Sequence, residues 1–315
     1  MKNVILNLTS ILLIFGFLLS PITFSSSSAY SSEGKIVLKK YPDLKIGFTT
    51  TNFLDLLPVS VENKKKLIDY ASEQGFVWIE LRDPSADLTP SNCKELAAYA
   101  KGKRVDIGYA IQKGLLDSDF LETFSRGLAN AAIFEGPKTI RVLGSGSEFA
   151  KDSKKKTWTL EELYKAVKIA NRAANRAKEL GLQLVVENAS EALKGDGITG
   201  FGTTEVFANV NSNVGWQLDT ANLFAVARVV TNPADAKKFL EEKIGKLCYI
   251  HLKTSTQEHK VSPILGDNEL EFGVVFELMQ KNRIPWVAIE LPAAKTLDEA
   301  KGNHEKSIKY LVDKY

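Results

Sequence analysis

Short apolar runs recur along the chain, and the stretches between them return apolar residues every three or four positions. Eight runs have the length and β-branched content of buried strands. They are Lys45–Thr50, Phe76–Leu81, Arg104–Tyr109, Lys138–Leu143, Leu182–Glu187, Val214–Asp219, Lys246–His251 and Trp286–Glu290. The intervening stretches read as helices. Leu160, Leu163, Val167, Ala170 and Ala174 mark one apolar face, with Glu161, Lys165 and Lys168 on the other. Thr159 ahead of Glu161-Glu162 predicts an N-cap with acids in the first turn, and Gly181 and Gly75 stand where helices should stop before strands. Eight strand–helix units with no break in composition predict an α/β fold, a single (β/α)8 TIM barrel over 45–315.

Four successive runs end in a residue that can bind a metal: Glu187, Asp219, His251 and Glu290. These ends are roughly 32 to 39 positions apart, about one strand–helix unit. Parallel strands bring all such ends to one face of a barrel. Two Glu, one Asp and one His converging there would repel or be desolvated without a cation, and a divalent ion resolves the conflict. The donor set admits Mn, Co, Zn or Mg. The alternative is a buried ion-pair network, against which no matching set of buried Lys or Arg is evident nearby.

Composition alters this picture little. The chain has 41 Lys+Arg against 38 Asp+Glu, so nothing implies nucleic acid or an anionic membrane surface. The Lys-rich stretch 151–156 reads as a solvated loop. Lys2, an apolar stretch from Ile11 to Leu19, Pro21 and a Ser-rich run have the order of a signal peptide, with cleavage expected near Ala29. That assigns 1–29 to the signal, 30–44 to a polar leader, and the mature protein to a secreted or periplasmic location without membrane insertion. An uncleaved anchor is the alternative. Cys93 and Cys248 fall in different units and are expected as free thiols, with Cys248 buried. The loop 194–202 is Gly-rich and reads as a lid or a plain connection, since it lacks the spacing of a dinucleotide fingerprint or a P-loop. A second long loop, from Thr254 to Leu270, follows the seventh run.

Val186-Glu187-Asn188, Leu218-Asp219-Thr220, Ile250-His251-Leu252-Lys253, Ile289-Glu290-Leu291-Pro292 and the turn Leu265–Phe272 carry a resemblance. The chain from Lys45 to Tyr315 resembles the sugar isomerase and epimerase barrels related to xylose isomerase, ketose 3-epimerases and hydroxypyruvate isomerase. The resemblance implies one divalent metal held by Glu187, Asp219, His251 and Glu290, and a sugar or sugar-derived substrate. It implies Glu187 and Glu290 as the acid–base pair that moves a proton beside a carbonyl through an enediolate. Pairing into a homo-oligomer is common for such barrels.

Further residues are candidates for substrate contact. Lys253 lies two positions beyond His251 and can hold a substrate oxygen or form a rim salt bridge. Glu80 can bind hydroxyls or orient a ligand, and Trp216 can stack on a sugar or pack in the core. Arg141 is expected to pair with a carboxylate inside the barrel, and His259 and His304 are expected at the surface. Asn222 stands where ketose epimerases usually carry a His, and Lys253-Thr254-Ser255 where they often carry an Arg. Both departures touch substrate contacts, so a lyase that eliminates the aglycone from a 3-keto-glycoside is the alternative reaction. A non-catalytic carbohydrate-binding barrel is the alternative outside the enzymes. A DNA-repair endonuclease on this barrel would need a multi-His cluster, and the chain has only three His.

Overall fold

The computed structural model describes residues 34–144, 159–187, 210–223, 233–258 and 260–315. Eight parallel strands, β1 (Lys45–Thr49), β2 (Trp78–Arg82), β3 (Asp106–Gly114), β4 (Thr139–Leu143), β5 (Gln183–Glu187), β6 (Val214–Asp219), β7 (Leu247–Leu252) and β8 (Trp286–Ile289), pair in sequence order. β1 pairs with β8 through Lys45↔Trp286 to Phe48↔Ile289, and this closes the barrel. The helices described are α1 (Val61–Glu73), α2 (Pro90–Lys103), α3 (Phe120–Ala131), α4 (Leu160–Glu179), α5 (Pro233–Lys243), α6 (Phe272–Lys281) and α7 (Leu297–Lys314). The protein is therefore a (β/α)8 TIM barrel. Among the described residues, no helix is long and apolar enough to cross a membrane.

Local chemistry sets the helix ends. Thr159 and Glu162 form a reciprocal capping box at α4, and Thr89 and Asn92 another at α2, where Pro90 supplies a preset φ. Gly75 and Gly181 adopt positive φ between helix and strand, as the sequence predicts. Two strands differ from their sequence bounds by more than one residue at an end. β2 begins at Trp78 and runs on to Arg82, and β3 extends to Gly114 past an irregularity beyond Ala110.

Period-two alternation splits each strand between two cores. On β6, Val214, Trp216 and Leu218 face the helical layer, which leaves Gly215, Gln217 and Asp219 for the interior. The interior's lower part holds Trp78, Val185, Tyr249 and Ala288. Trp78 lies over Gly47, where any Cβ would fall on its carbonyl and indole, and its Nε1 donates to the carbonyls of Lys45 (2.9 Å) and Val287 (3.1 Å). This plug closes the barrel beneath the strand ends that carry the polar groups.

Residues 34–44 are not simply a polar leader. Ile36, Leu38, Tyr41 and Leu44 are buried, and Lys40 N–H donates to the Tyr315 carbonyl at 2.6 Å. The hydrophobic spacing of this segment ties it to the core that α7 also covers. The segments 1–33, 151–156 and 194–202, and His259, lie outside the described residues.

Candidate metal centre

The alternation that puts Leu184, Val186, Leu218, Ile250 and Ile289 against the helices turns their polar neighbours inward. Glu187 ends β5, Asp219 ends β6, His251 lies on β7, and Glu290 follows β8. Each offers one donor atom, and the four atoms all lie within 4.8 Å of one another. All four residues are buried. The sequence-derived ligand set is thus assembled in one place.

Asp219 is held from both sides. Its Oδ1 accepts the backbone N–H groups of Ala221 (3.0 Å) and Asn222 (3.1 Å), and its Oδ2 accepts from Lys253 Nζ at 2.7 Å. Lys253 Nζ also donates to Glu290 Oε1 at 2.9 Å. Reciprocal bonds between Thr220 and Lys253 lock the ends of β6 and β7 together. Arg141 on β4 sets its Nη1 2.7 Å from Glu187 Oε2, so the expected interior pairing of Arg141 is present.

Glu80 is fully buried beneath His251 and is saturated. Its Oε1 accepts from Thr49 Oγ1 at 3.1 Å, and its Oε2 accepts from Tyr249 Oη at 2.6 Å and from His251 Nε2 at 3.0 Å. An ionised carboxylate can only accept, so Nε2 carries the proton of that bond and Nδ1 faces the other ligands. Glu80, fully buried, therefore orients the His251 ring from behind. Burial would raise its pKa, but His251 and Arg141 outweigh burial and hold it at about 2. Burial works against a charged His251 as well, yet Glu80 and Glu290 raise the ring to about 10. A divalent ion held by His251 would displace a ring proton.

Two expectations about the cluster itself need correction. The sequence showed no buried cations to match the acids, but Arg82, Arg141 and Lys253 surround them with side chains 3%, 0% and 14% exposed. Four carboxylates, Glu80, Glu187, Asp219 and Glu290, thus face three permanent cations among the described residues. Period-two spacing from Trp78 through Glu80 would have found Arg82, and the same spacing from His251 leads back to Tyr249. Trp216 is also not at the site. It faces the helical layer, edge-on to Phe239 of α5 with ring centroids 5.8 Å apart. Even-numbered offsets from Asp219 point inward, and Trp216 lies three positions away.

The other residues fall as follows. Asn222 sits beside Asp219 and is 7% exposed. His304 is not at the surface: it is fully buried on α7, where Asn52 Nδ2 donates to its Nε2 at 2.6 Å. Its spacing with Ala300, Ser307, Ile308 and Leu311 is that of a buried helix face. Cys93 and Cys248 are free, and Cys93 is the fully buried one. Cys248 sits where the β6–β7 register shifts, beside the space left by Gly215.

The residues fit a divalent ion. Glu187 Oε2, His251 Nδ1 and Glu290 Oε2 are buried and make no hydrogen bond with any described residue. His251 Nδ1 lies against Glu290 Oε2, so the two atoms face the same space. Three carboxylates and one imidazole are hard to borderline donors, suited to Mg, Mn, Co or Zn.

No curated protein matches the chain in sequence. Among solved structures, D-allulose 3-epimerase from Methylomonas sp. in complex with D-allulose superposes with TM-score 0.63 and 14% identity, covering 86% of this chain and 97% of that one. A xylose isomerase-like TIM barrel protein from Mycobacterium smegmatis in complex with magnesium gives 0.63 at 15% identity, over 86% and 97%. The IOLI protein with a bound zinc atom gives 0.59 at 17% identity, over 86% and 99%. At such identities the likeness is one of fold. The model of the xylose isomerase-like TIM barrel family matches residues 68–314, most of the chain. With the closed barrel and the grouped strand-end ligands, this match places the chain in the xylose isomerase-like TIM barrel family.

Proposed function

We propose that the protein is an exported, divalent-metal-dependent sugar isomerase or epimerase that moves a proton next to a carbonyl through an enediolate. The observation that carries this reading is the grouping of Glu187, Asp219, His251 and Glu290, with donor atoms within 4.8 Å, on a barrel of this family. A bound divalent ion supplies a Lewis acid that polarises a substrate carbonyl and acidifies the neighbouring C–H.

The chain's own residues do the rest. Asp219 and His251 act as ligands, fixed respectively by two backbone N–H groups and by Glu80. Glu187 and Glu290 arrive from β5 and β8 and serve as base and acid. Arg141 engages one oxygen of Glu187, and Lys253 one oxygen of Glu290, so each carboxylate is oriented before substrate enters. Lys253, the most exposed of the three cations, stabilises the oxygen on which negative charge develops. Proton return to the opposite face inverts a centre, and return to the adjacent carbon isomerises. Asn222, in the position where ketose epimerases of the resembling group carry a His, favours a second reading. In that reading the same abstraction expels an aglycone from a 3-keto-glycoside.

The test is elemental analysis of the mature protein beside a Glu187→Gln/Asp219→Asn variant, followed by deuterium wash-in from D2O over a panel of sugars and 3-keto-glycosides. Stoichiometric metal lost in the variant, with solvent deuterium entering a sugar carbon, is expected. A wild-type protein that holds no divalent ion after reconstitution would overturn the reading. Export rests on the order of Lys2, the Ile11–Leu19 run and Ala29. N-terminal sequencing of protein recovered outside the cytoplasm should begin near Tyr30, and an intact Met1 retained in the cytosol argues against it.

A further inference from the structure

Arg82 is the one basic side chain of the cluster that the proposed reaction leaves idle. It ends β2 two residues beyond Glu80, and its backbone N–H is fixed by Thr50 Oγ1 at 2.9 Å. Its side chain is 3% exposed, yet its Nε is buried with no hydrogen-bond partner, and its guanidinium forms no hydrogen bond with any described residue. Its only charge contacts among the described residues are loose: Nη2 lies 3.4 Å from Glu80 Oε1 and 3.8 Å from Glu290 Oε2.

Arg82 is not needed to neutralise Glu80. That carboxylate already has Thr49, Tyr249 and His251 as hydrogen-bond partners and Arg141 3.6 Å from Oε1. A buried guanidinium N–H without a hydrogen bond, as at Arg82 Nε, is costly unless something else completes it. Charge points the same way. Once a divalent ion joins the four carboxylates and three basic side chains, and His251 ligates as the neutral ring, the described set carries one positive charge in excess. Among these groups a neutral sugar leaves that excess in place, whereas an anionic one closes it.

Resting on the metal-dependent sugar reading above, we propose that Arg82 is a substrate-binding residue and that the substrate is a sugar acid. Its carboxylate is taken by the planar fork of Arg82. Because Nη2 reaches within 3.8 Å of the metal-ligand carboxylate Glu290, the bound carboxylate lies close to the reacting carbons, at the near end of the sugar. A phosphate carried at the far end of a sugar would not reach it.

The experiment is calorimetric titration of the Mn-loaded protein, and of Arg82→Met and Arg82→Lys variants, with hexuronates and aldonates, the matching neutral hexoses, and hexose 6-phosphates. At least one sugar acid should bind at least about tenfold more tightly than its neutral counterpart. Arg82→Met should remove that preference and Arg82→Lys only part of it, with metal content unchanged in both. Three results would overturn the proposal while leaving the metal and sugar reading in place: neutral sugars binding as well as acids, sugar phosphates binding best, or acid preference persisting in Arg82→Met. Absence of any metal-dependent sugar binding in the wild type would overturn both together.

Discussion

At the scale of single residues, the decisive group is Glu80, which touches no substrate in the proposed reaction yet determines how His251 presents itself. Hydrogen-bonded carboxylates behind a ligating imidazole typically contribute about 10- to 100-fold to metal affinity. Glu80→Gln should weaken Mn binding by about that factor in calorimetry, and an unchanged Kd would show that His251 needs no such support. His304 makes a different prediction. Burial holds this ring at about 3, among Phe48, Phe53, Tyr70 and Phe76, so it is neutral when folded. Its folded pKa lies below the unfolded value of about 6.5, so its contribution is full above pH 6.5 and is lost as pH falls toward 3. Between pH 7 and 5 that amounts to about 2 kcal/mol. Urea unfolding at the two pH values should show this loss in the wild type, and His304→Gln should show about that much less of it.

At the scale of elements, β2 has the densest chemistry, because alternate residues Trp78, Glu80 and Arg82 all face the interior and build floor, support and rim in turn. The floor depends on Gly47 of β1, whose hydrogen leaves space for the Trp78 indole. Gly47→Ala should cost about 1–3 kcal/mol in urea unfolding, the usual penalty for overpacking a rigid core. A midpoint within error of wild type would mean that β1 and β2 can separate locally. Much of this level was legible in the chain. Apolar runs announced all eight strands, and Thr159 and Gly181 marked the two ends of α4, because caps and alternation are local chemistry. The ends of β2 and β3 were not legible, since a strand stops where its neighbour's ladder stops. Trp216 was ambiguous for a related reason: whether an aromatic ring faces cleft or core depends on register counted from a residue already known to point inward.

For the whole molecule, a metal at the proposed centre would join β5, β6, β7 and β8, half of the barrel, so occupancy should appear as stability. At a free metal concentration about 1,000 times Kd, binding to the folded state alone contributes about 4 kcal/mol. Thermal unfolding should therefore move upward with added Mn and back with a chelator, and the Glu187→Gln/Asp219→Asn variant should not respond. A wild-type transition indifferent to metal would count against the centre. The sequence by itself determined the barrel and the grouping of the four strand-end donors, because strand periodicity and βα spacing are properties of neighbours along the chain. The sequence also pointed to an interior pairing of Arg141, but only the tertiary structure decided which carboxylate each inward group meets. Arg141 of β4 meets Glu187 of the neighbouring β5, while Arg82 of β2 approaches Glu290 beyond β8 and Tyr249 of β7 reaches Glu80 of β2, both between strands that are not neighbours. The inward burial of His304 was likewise decided by the packing of α7 against β1. Charges far apart in sequence become partners only when closure of the sheet removes the water between them, and no local pattern records that event.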